Sequence, residues 1–251
     1  MGLLRDLGVR ILEVAPARLF KNVAKASASD IALKRRFFGD NGFRIASLQA
    51  ILYGKDDLLL FENSTRPLLF GYLCRIAEVA SLLGANSIVF GAPRNRRVPS
   101  EMSESEAWDI AAAFFAQLGQ AVKDYGVTFE IEAVPPVYGC NFCTSSNEAA
   151  RLARKVAHPA ITWHIDTGTM AFWDEEPERT IGDNVDVIGS VHISQPYLSD
   201  FENPWNGHKD VAAALGACGY SGNFTIEMKA SERGLPAVRQ AVNCARRYYP
   251  C

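Results

Sequence analysis

Residues 160–168, AITWHIDTG, alternate bulky apolar and ionisable side chains. A strand turns successive side chains to opposite faces, so Trp163 and Ile165 point one way and His164 and Asp166 the other. A buried carboxylate is costly unless it is paired, hydrogen-bonded or bound to a cation. Asp166 at the end of such a strand therefore asks for partners elsewhere in the chain.

The same pattern, a short β-branched run closing on polar residues, recurs along the sequence. The other runs are VRILEVAP (9–16), FRIASLQAI (43–51), NSIVFGAP (86–93), VTFEIEAVPP (127–136), GSVHISQP (189–196) and NFTIEMK (223–229). Helix-like segments lie between them: 66–85, 103–126, 144–157, 208–220 and 231–249. Ser103 and Glu106, three apart, predict a capping box at the start of the second of these, and Gly126 predicts its stop. Strand and helix alternating in this way imply a parallel sheet with helical crossovers. An open doubly wound sheet would carry a glycine-rich phosphate loop after its first strand, and neither G-x-G-x-x-G nor G-x-x-x-x-G-K-[ST] occurs. Polar residues instead gather at the ends of many strands, as at the active face of a TIM barrel. The expectation is an α/β chain folded as one (β/α) barrel over residues 1–251. No Pro/Gly/Ser-rich linker divides it.

A full barrel has eight strands, and seven are evident. The chain opens with MGLLRDLG, the last turn of a helix, and closes on ARRYYPC, the end of another. Either the barrel has seven strands and a gap, or the first strand is missing from the start of the sequence. A gap in the wall could be covered by a second subunit, which makes a homo-oligomer a possibility.

Composition narrows the function. The 251 residues carry 26 basic and 28 acidic side chains, a net charge of −2, so no bulk field attracts nucleic acid or an anionic membrane. No apolar run reaches the ~20 residues that span a bilayer, and the start does not read as a signal peptide. The six cysteines, Cys74, Cys140, Cys143, Cys218, Cys244 and Cys251, are spread out and form no dense disulfide framework. A reduced, cytoplasmic protein is expected. Cys140-x-x-Cys143 lacks the second pair of a zinc site and does not open a redox helix, and Trp173 and Trp205 are most simply packing residues.

Each late strand ends on one ionisable group: Glu132, Asp166, His192 and Glu227. Three carboxylates at one height in a barrel mouth repel strongly. A divalent cation relieves that conflict, and three oxygen donors with one imidazole suit Mn²⁺, Mg²⁺, Co²⁺ or Zn²⁺. Asp166 is then a ligand, with His164 below it on the same face. Singly, each of the four is more simply a paired or capping group; together, at equivalent positions, they point to one metal.

At this point the sequence resembles the xylose-isomerase-like TIM-barrel superfamily, and within it the sugar phosphate isomerase/epimerase branch related to endonuclease IV. The resemblance covers nearly the whole chain and rests on LEVAP, LQAILYG, FGAPRNR, IEAVPPVYGCNF, HIDTGTM, VHISQPYL, NGHKDVAAALGACGYSG and IEMK. It implies one divalent metal held by Glu132, Asp166, His192 and Glu227. It also implies a strand preceding residues 9–16. Many relatives place a histidine three residues after the aspartate, where this chain has Thr169. A trinuclear zinc nuclease needs more imidazoles than His158, His164, His192 and His208 supply.

Substrate contacts are expected from Glu13, Gln49, Tyr138, Asn141, His164 and Lys229, with His208 and Asp210 closing the pocket. Arg94, Arg96 and Arg97 after the third strand form either a solvated loop or a site for phosphate or carboxylate. The chemistry that fits is proton transfer beside a carbonyl of a sugar or sugar phosphate, with Glu132 and Glu227 as acid and base. The rivals are a hydrolase or lyase using the same metal, and a non-catalytic sugar-binding barrel.

Overall fold

The computed structural model describes residues 1–249. Cys251 lies outside them, and the other five cysteines are free. Seven parallel strands hydrogen-bond in sequence order: β1 (Ile11–Val14), β2 (Arg44–Leu48), β3 (Ser87–Phe90), β4 (Thr128–Glu132), β5 (Ile161–Asp166), β6 (Ile188–Ile193) and β7 (Phe224–Ile226). Six of the seven fall inside the runs read from the sequence, and β6 begins one residue before its run, at Ile188. They curl into a nearly closed barrel whose edges are β1 and β7. Side chains bridge that seam: Gln49, just past β2, donates to Glu227 Oε1 at 3.0 Å, just past β7. Glu13 of β1 meets His192 of β6 at 2.7 Å.

The helices in chain order are α1 (Gly2–Asp6), α2 (Pro16–Leu19), α3 (Ala28–Asp40), α4 (Arg66–Leu83), α5 (Glu104–Val122), α6 (Ser146–Val156), α7 (Thr167–Trp173), α8 (Pro177–Gly182), α9 (His208–Ala217) and α10 (Leu235–Tyr248). Strand faces that point outward pack against them. Ile131, Trp163, Ile165, Val191 and Ile193 are all buried there, and Phe90 meets Phe115 of α5 edge-on at 5.1 Å. This shell between sheet and helices is the hydrophobic core.

Several local expectations need correction. Ser103 accepts from the Glu106 amide at 3.2 Å, but the reciprocal bond is absent, so only half of the expected capping box forms. A full box instead starts α6, where Ser145 and Glu148 satisfy each other's backbone amides. The last segment begins its helix at Leu235 rather than 231, because Gly234, at φ +59° and ψ −134°, stands outside helical geometry. Helix α3 lies outside the segments that the sequence marks with helical spacing. Ile31 is its one buried residue, while Leu33 and Phe37 are exposed, so apolar spacing does not mark a core face. Its signal was the Ser27–Asp30 capping box.

Candidate active site

The barrel interior is polar. Many TIM barrels fill this space with layers of Val, Ile and Leu; here alternate residues of the strands bring carboxylates, imidazoles and hydroxyls inward. A lower layer centres on Glu130, whose carboxylate is buried among Ser87 Oγ (2.6 Å), the Ser190 amide (2.8 Å), Ser190 Oγ and His164 Nδ1 (3.0 Å). Burial pushes this carboxyl's pKa up, but the hydrogen bond and charge of His164, with the two serines, outweigh it and hold the pKa below its ordinary value. Gly189 leaves the room: a Cβ there would come within 2.7 Å of the Glu130 carboxyl carbon.

The upper layer holds the four residues read as ligands. One donor atom each from Glu132, Asp166, His192 and Glu227 lies within 4.8 Å of the others. Register explains the convergence. Asp166 is paired with His192 across β5 and β6, Glu132 ends β4, and Glu227 follows β7 directly. Gly91, past β3, clears the space for Glu132, because a Cβ at that position would collide with its carboxylate.

Asp166 is held at both oxygens. Oδ1 accepts from the Thr169 amide and Oδ2 from Ser194 Oγ, each at 2.6 Å. Thr169 also donates its hydroxyl to the Ala133 carbonyl, so it braces the end of β4 against α7. Burial raises the pKa of Asp166 to about 6, aided by the charges of Glu132 and Glu227. Burial opposes ionisation of Glu227 too, but His192 and the Gln49 hydrogen bond leave it below its usual range. His192 is disfavoured as a cation by burial, yet Glu13 and Glu227 drive its pKa well up.

The donor set fits a divalent cation. His192 Nδ1 is buried, 3.2 Å from Glu227 Oε2 and 3.7 Å from Glu132 Oε1, and has no hydrogen-bond partner. Its other nitrogen is taken by Glu13, which Ser47 Oγ holds at 2.5 Å. An imidazole oriented through one nitrogen by a carboxylate, with the other aimed at a cluster of carboxylates, is the arrangement of a metal-binding histidine. The β1–β2 register shifts between Leu12 and Glu13, at the residue that reaches across the barrel.

A cleft of about 620 Å³ opens above this cluster, with Gln49, Glu132, Asp166 and Glu227 in its wall. Tyr138 and Arg94 also line it. The structure does not bring the remaining expected contacts to the wall. His164 lies beneath, in the Glu130 layer, with its ring 4.1 Å from that of His192. Glu13 is behind His192. Arg96 is buried, with Nε toward Cys140 Sγ and Nη2 toward the Cys143 carbonyl, each at 3.4 Å. A guanidinium that crosses a loop in this way braces it and cannot reach a ligand. Asn141 clasps the backbone of Val98 through both its amide atoms. Lys229 is exposed.

His208 is one step removed. It is fully buried, with Nε2 2.6 Å from the Gln195 amide nitrogen and Nδ1 2.9 Å from Tyr249 Oη. Gln195 accepts from the Trp205 amide, so its NH₂ faces His208, and His208 accepts there as a neutral ring. Burial lowers the His208 pKa to about 4. Between about 6.5 and 4 the unfolded chain takes up a proton that the native ring refuses, so stability falls as pH falls through this window, by up to ~3 kcal/mol. Urea unfolding at pH 7 and pH 5 should show this slope in the wild type and a smaller one in His208→Gln. Equal slopes would refute it. Gln195, Ser194 and Glu130 are functional neighbours that the strand-end pattern does not mark. Ser190, His192 and Ser194 do share one strand face, a period-two signal; Gln195 has none.

No curated protein matches the sequence. Solved structures do match in fold. A D-psicose 3-epimerase from Clostridium cellulolyticum H10, determined with D-tagatose, superposes with a TM-score of 0.83 at 14% identity, covering 100% of this chain and 92% of its own. A D-psicose 3-epimerase determined with D-fructose gives 0.81 at 14% identity, covering 97% and 90%. A 3-keto-D-glucoside 4-epimerase from E. coli gives 0.78 at 16% identity, covering 97% and 91%. The profile of the xylose isomerase-like TIM barrels matches residues 1–248, and the chain belongs to that family.

Proposed function

We propose that this chain is a divalent-metal-dependent isomerase or epimerase of sugars. The observation that carries the reading is the convergence of three carboxylates and an unpartnered imidazole nitrogen at the floor of an open cleft. Glu132, Asp166, His192 and Glu227 would hold one ion, Mn²⁺, Mg²⁺, Co²⁺ or Zn²⁺. When bound, it would supply Lewis acidity to adjacent carbonyl and hydroxyl oxygens of the sugar.

Glu132 and Glu227 stand on strands separated by β5 and β6, so each can address a different face of a sugar on the floor. One carboxylate removes the proton beside the carbonyl; the C–H electron pair becomes a C=C bond, and the carbonyl π pair moves to oxygen. Return of a proton from the opposite carboxyl to the same carbon, as the oxygen's pair re-forms the carbonyl, inverts that carbon; delivery to the neighbouring carbon, with that carbon's hydroxyl proton passing to the former carbonyl oxygen, moves the carbonyl. Nothing is oxidised overall and no water is consumed. Asp166, locked by Ser194 and the Thr169 amide, positions and does not exchange protons. Gln49 holds Glu227 at the seam.

The test is exchange of the α-hydrogen of D-fructose with D₂O, followed by NMR on protein stripped with chelator and then given Mn²⁺. Exchange only with the ion supports the reading. Cleavage of abasic-site DNA without sugar exchange would replace it with the nuclease alternative.

Glu13 should act through His192. Glu13→Ala should weaken Mn²⁺ binding by roughly 10–100-fold, as for other outer-shell partners of metal histidines, while Glu13→Gln, which keeps an acceptor, loses less. Competition with a fluorescent chelator measures both. Wild-type affinity in Glu13→Ala would show that His192 needs no such support.

A further inference from the structure

We propose that the substrate is an uncharged keto-sugar extended by a second ring, an inference that rests on the sugar isomerase/epimerase reading above. Size is the first argument. A cleft of about 620 Å³ has room for roughly 20 waters at ~30 Å³ each. It falls within the roughly 300–1,000 Å³ of pockets that enclose drug-sized ligands, and a single hexose, with about a dozen heavy atoms each smaller than a water's share, leaves much of it unfilled.

The distribution of chemistry is the second. The carboxylates sit at the floor, where a polyol and its carbonyl belong. The upper walls are apolar and aromatic: Tyr53 and Pro93 on the β2–β3 side, Tyr138, Phe172 and Tyr197 on the β4–β6 side. Tyr53 is 72% exposed and Tyr197 56%, although large aromatic surface is ordinarily withdrawn from water. Flat aromatic faces on either side of a cleft suit the apolar C–H face of a sugar ring.

Backbone strain is the third. Among the described residues seven that are not glycine take positive φ, and four of them line this cleft: Ala50 (+48°), Ala92 (+38°), Tyr197 (+62°) and Leu198 (+53°). Such strain persists where surrounding contacts over-determine it, and it gathers at ligand sites. At Tyr197 it sets the direction of an aromatic rim residue, whose ring stands 6.3 Å from that of Phe172. Leu198 is held there by the Lys229 amide.

Charge is the fourth. Among the described residues that line the cleft, Arg94 is the one cation, and it lies 3.5 Å from Asp56. Arg96 is committed to the Cys140–Cys143 loop. One cation therefore stands against Asp56, Glu132, Asp166 and Glu227 in the lining, so a phosphate would meet a net-negative cleft.

The experiment compares D-fructose, D-fructose 6-phosphate and lactulose, a ketose that bears a galactosyl ring. Mn²⁺-loaded wild type, Tyr53→Ala and Tyr197→Ala are each tested for α-hydrogen exchange and for saturation transfer from protein to sugar protons. The expected result is kcat/KM for exchange about tenfold higher on lactulose than on fructose, with saturated galactosyl protons. Either variant should erase most of that preference. Fructose preferred or equal with unsaturated galactosyl protons, or the phosphate preferred, would overturn the proposal. No exchange on any sugar, but galactosyl saturation that the variants lose, would refute the proton-transfer reading and leave the ligand class standing. No saturation of any sugar would overturn both.

Discussion

Glu132→Gln and Glu227→Gln each lower α-hydrogen exchange by roughly 10²–10⁴-fold, the range over which a positioned acid or base acts. An amide keeps the volume and one oxygen of the carboxylate but cannot take a proton. Both residues are also donors to the proposed ion, so the loss must be separated from loss of metal. Exchange is therefore measured at saturating Mn²⁺, with bound metal determined on the same sample. A variant that retains metal and loses exchange has lost proton transfer. The two should differ in detail. Glu227 is tied to Gln49 at 3.0 Å, and its Oε2 is 3.2 Å from His192 Nδ1; Gln in its place disturbs both contacts and should cost more metal affinity. Glu132 rests in the space left by Gly91 and makes no hydrogen bond of its own among the described residues, so Glu132→Gln should show the purer loss of rate. Full exchange in both variants would remove them from the chemistry.

Asp166→Asn and His192→Ala should each weaken Mn²⁺ binding by more than about 100-fold, beyond what an outer-shell partner costs. Asp166→Asn keeps an oxygen for the Thr169 amide and so keeps the start of α7, but it removes a charge that Glu132 and Glu227 crowd. His192→Ala opens a cavity between the two polar layers and leaves Glu13 Oε1 without its partner. Ion binding stabilises a folded chain by ~2.7 kcal/mol at one hundred times Kd, so thermal unfolding with and without Mn²⁺ gives a second readout. The wild type should gain stability with Mn²⁺ and both variants should gain little. Equal gains in all three would place the ion elsewhere or show it to be bound by fewer residues.

The fold was legible because its signals are local. Seven apolar runs and the helical spacing between them mark strands and crossovers whatever the rest of the chain does, and all seven strands lie where those runs stand. Helix α3 escaped because its outer face carries Leu33 and Phe37 in solvent, which blurs the contrast that periodicity depends on. The four strand-end residues were legible because each ends a strand on the inward parity, and parity is a property of the local sequence. The Glu130 layer has the same parity, two residues before Glu132, yet a carboxylate inside a strand carries no mark of whether it meets a cation or a histidine.

The sequence by itself determined the alternation of strands and helices, the inward face of each strand, and the identity of the groups that converge at the barrel mouth. The tertiary structure decided which of the remaining polar residues reach that mouth. Gln49 and Glu13 meet partners 178 and 179 residues away, across the seam and the barrel interior, so no local pattern announces them. Arg96 and His208, chemically apt for a ligand, are instead enclosed by the Cys140–Cys143 loop and by Gln195 and Tyr249. The physical reason is that a polar side chain near a site is drawn to whichever buried partner satisfies its hydrogen bonds, and those partners are set by closure of the barrel rather than by neighbours in the chain.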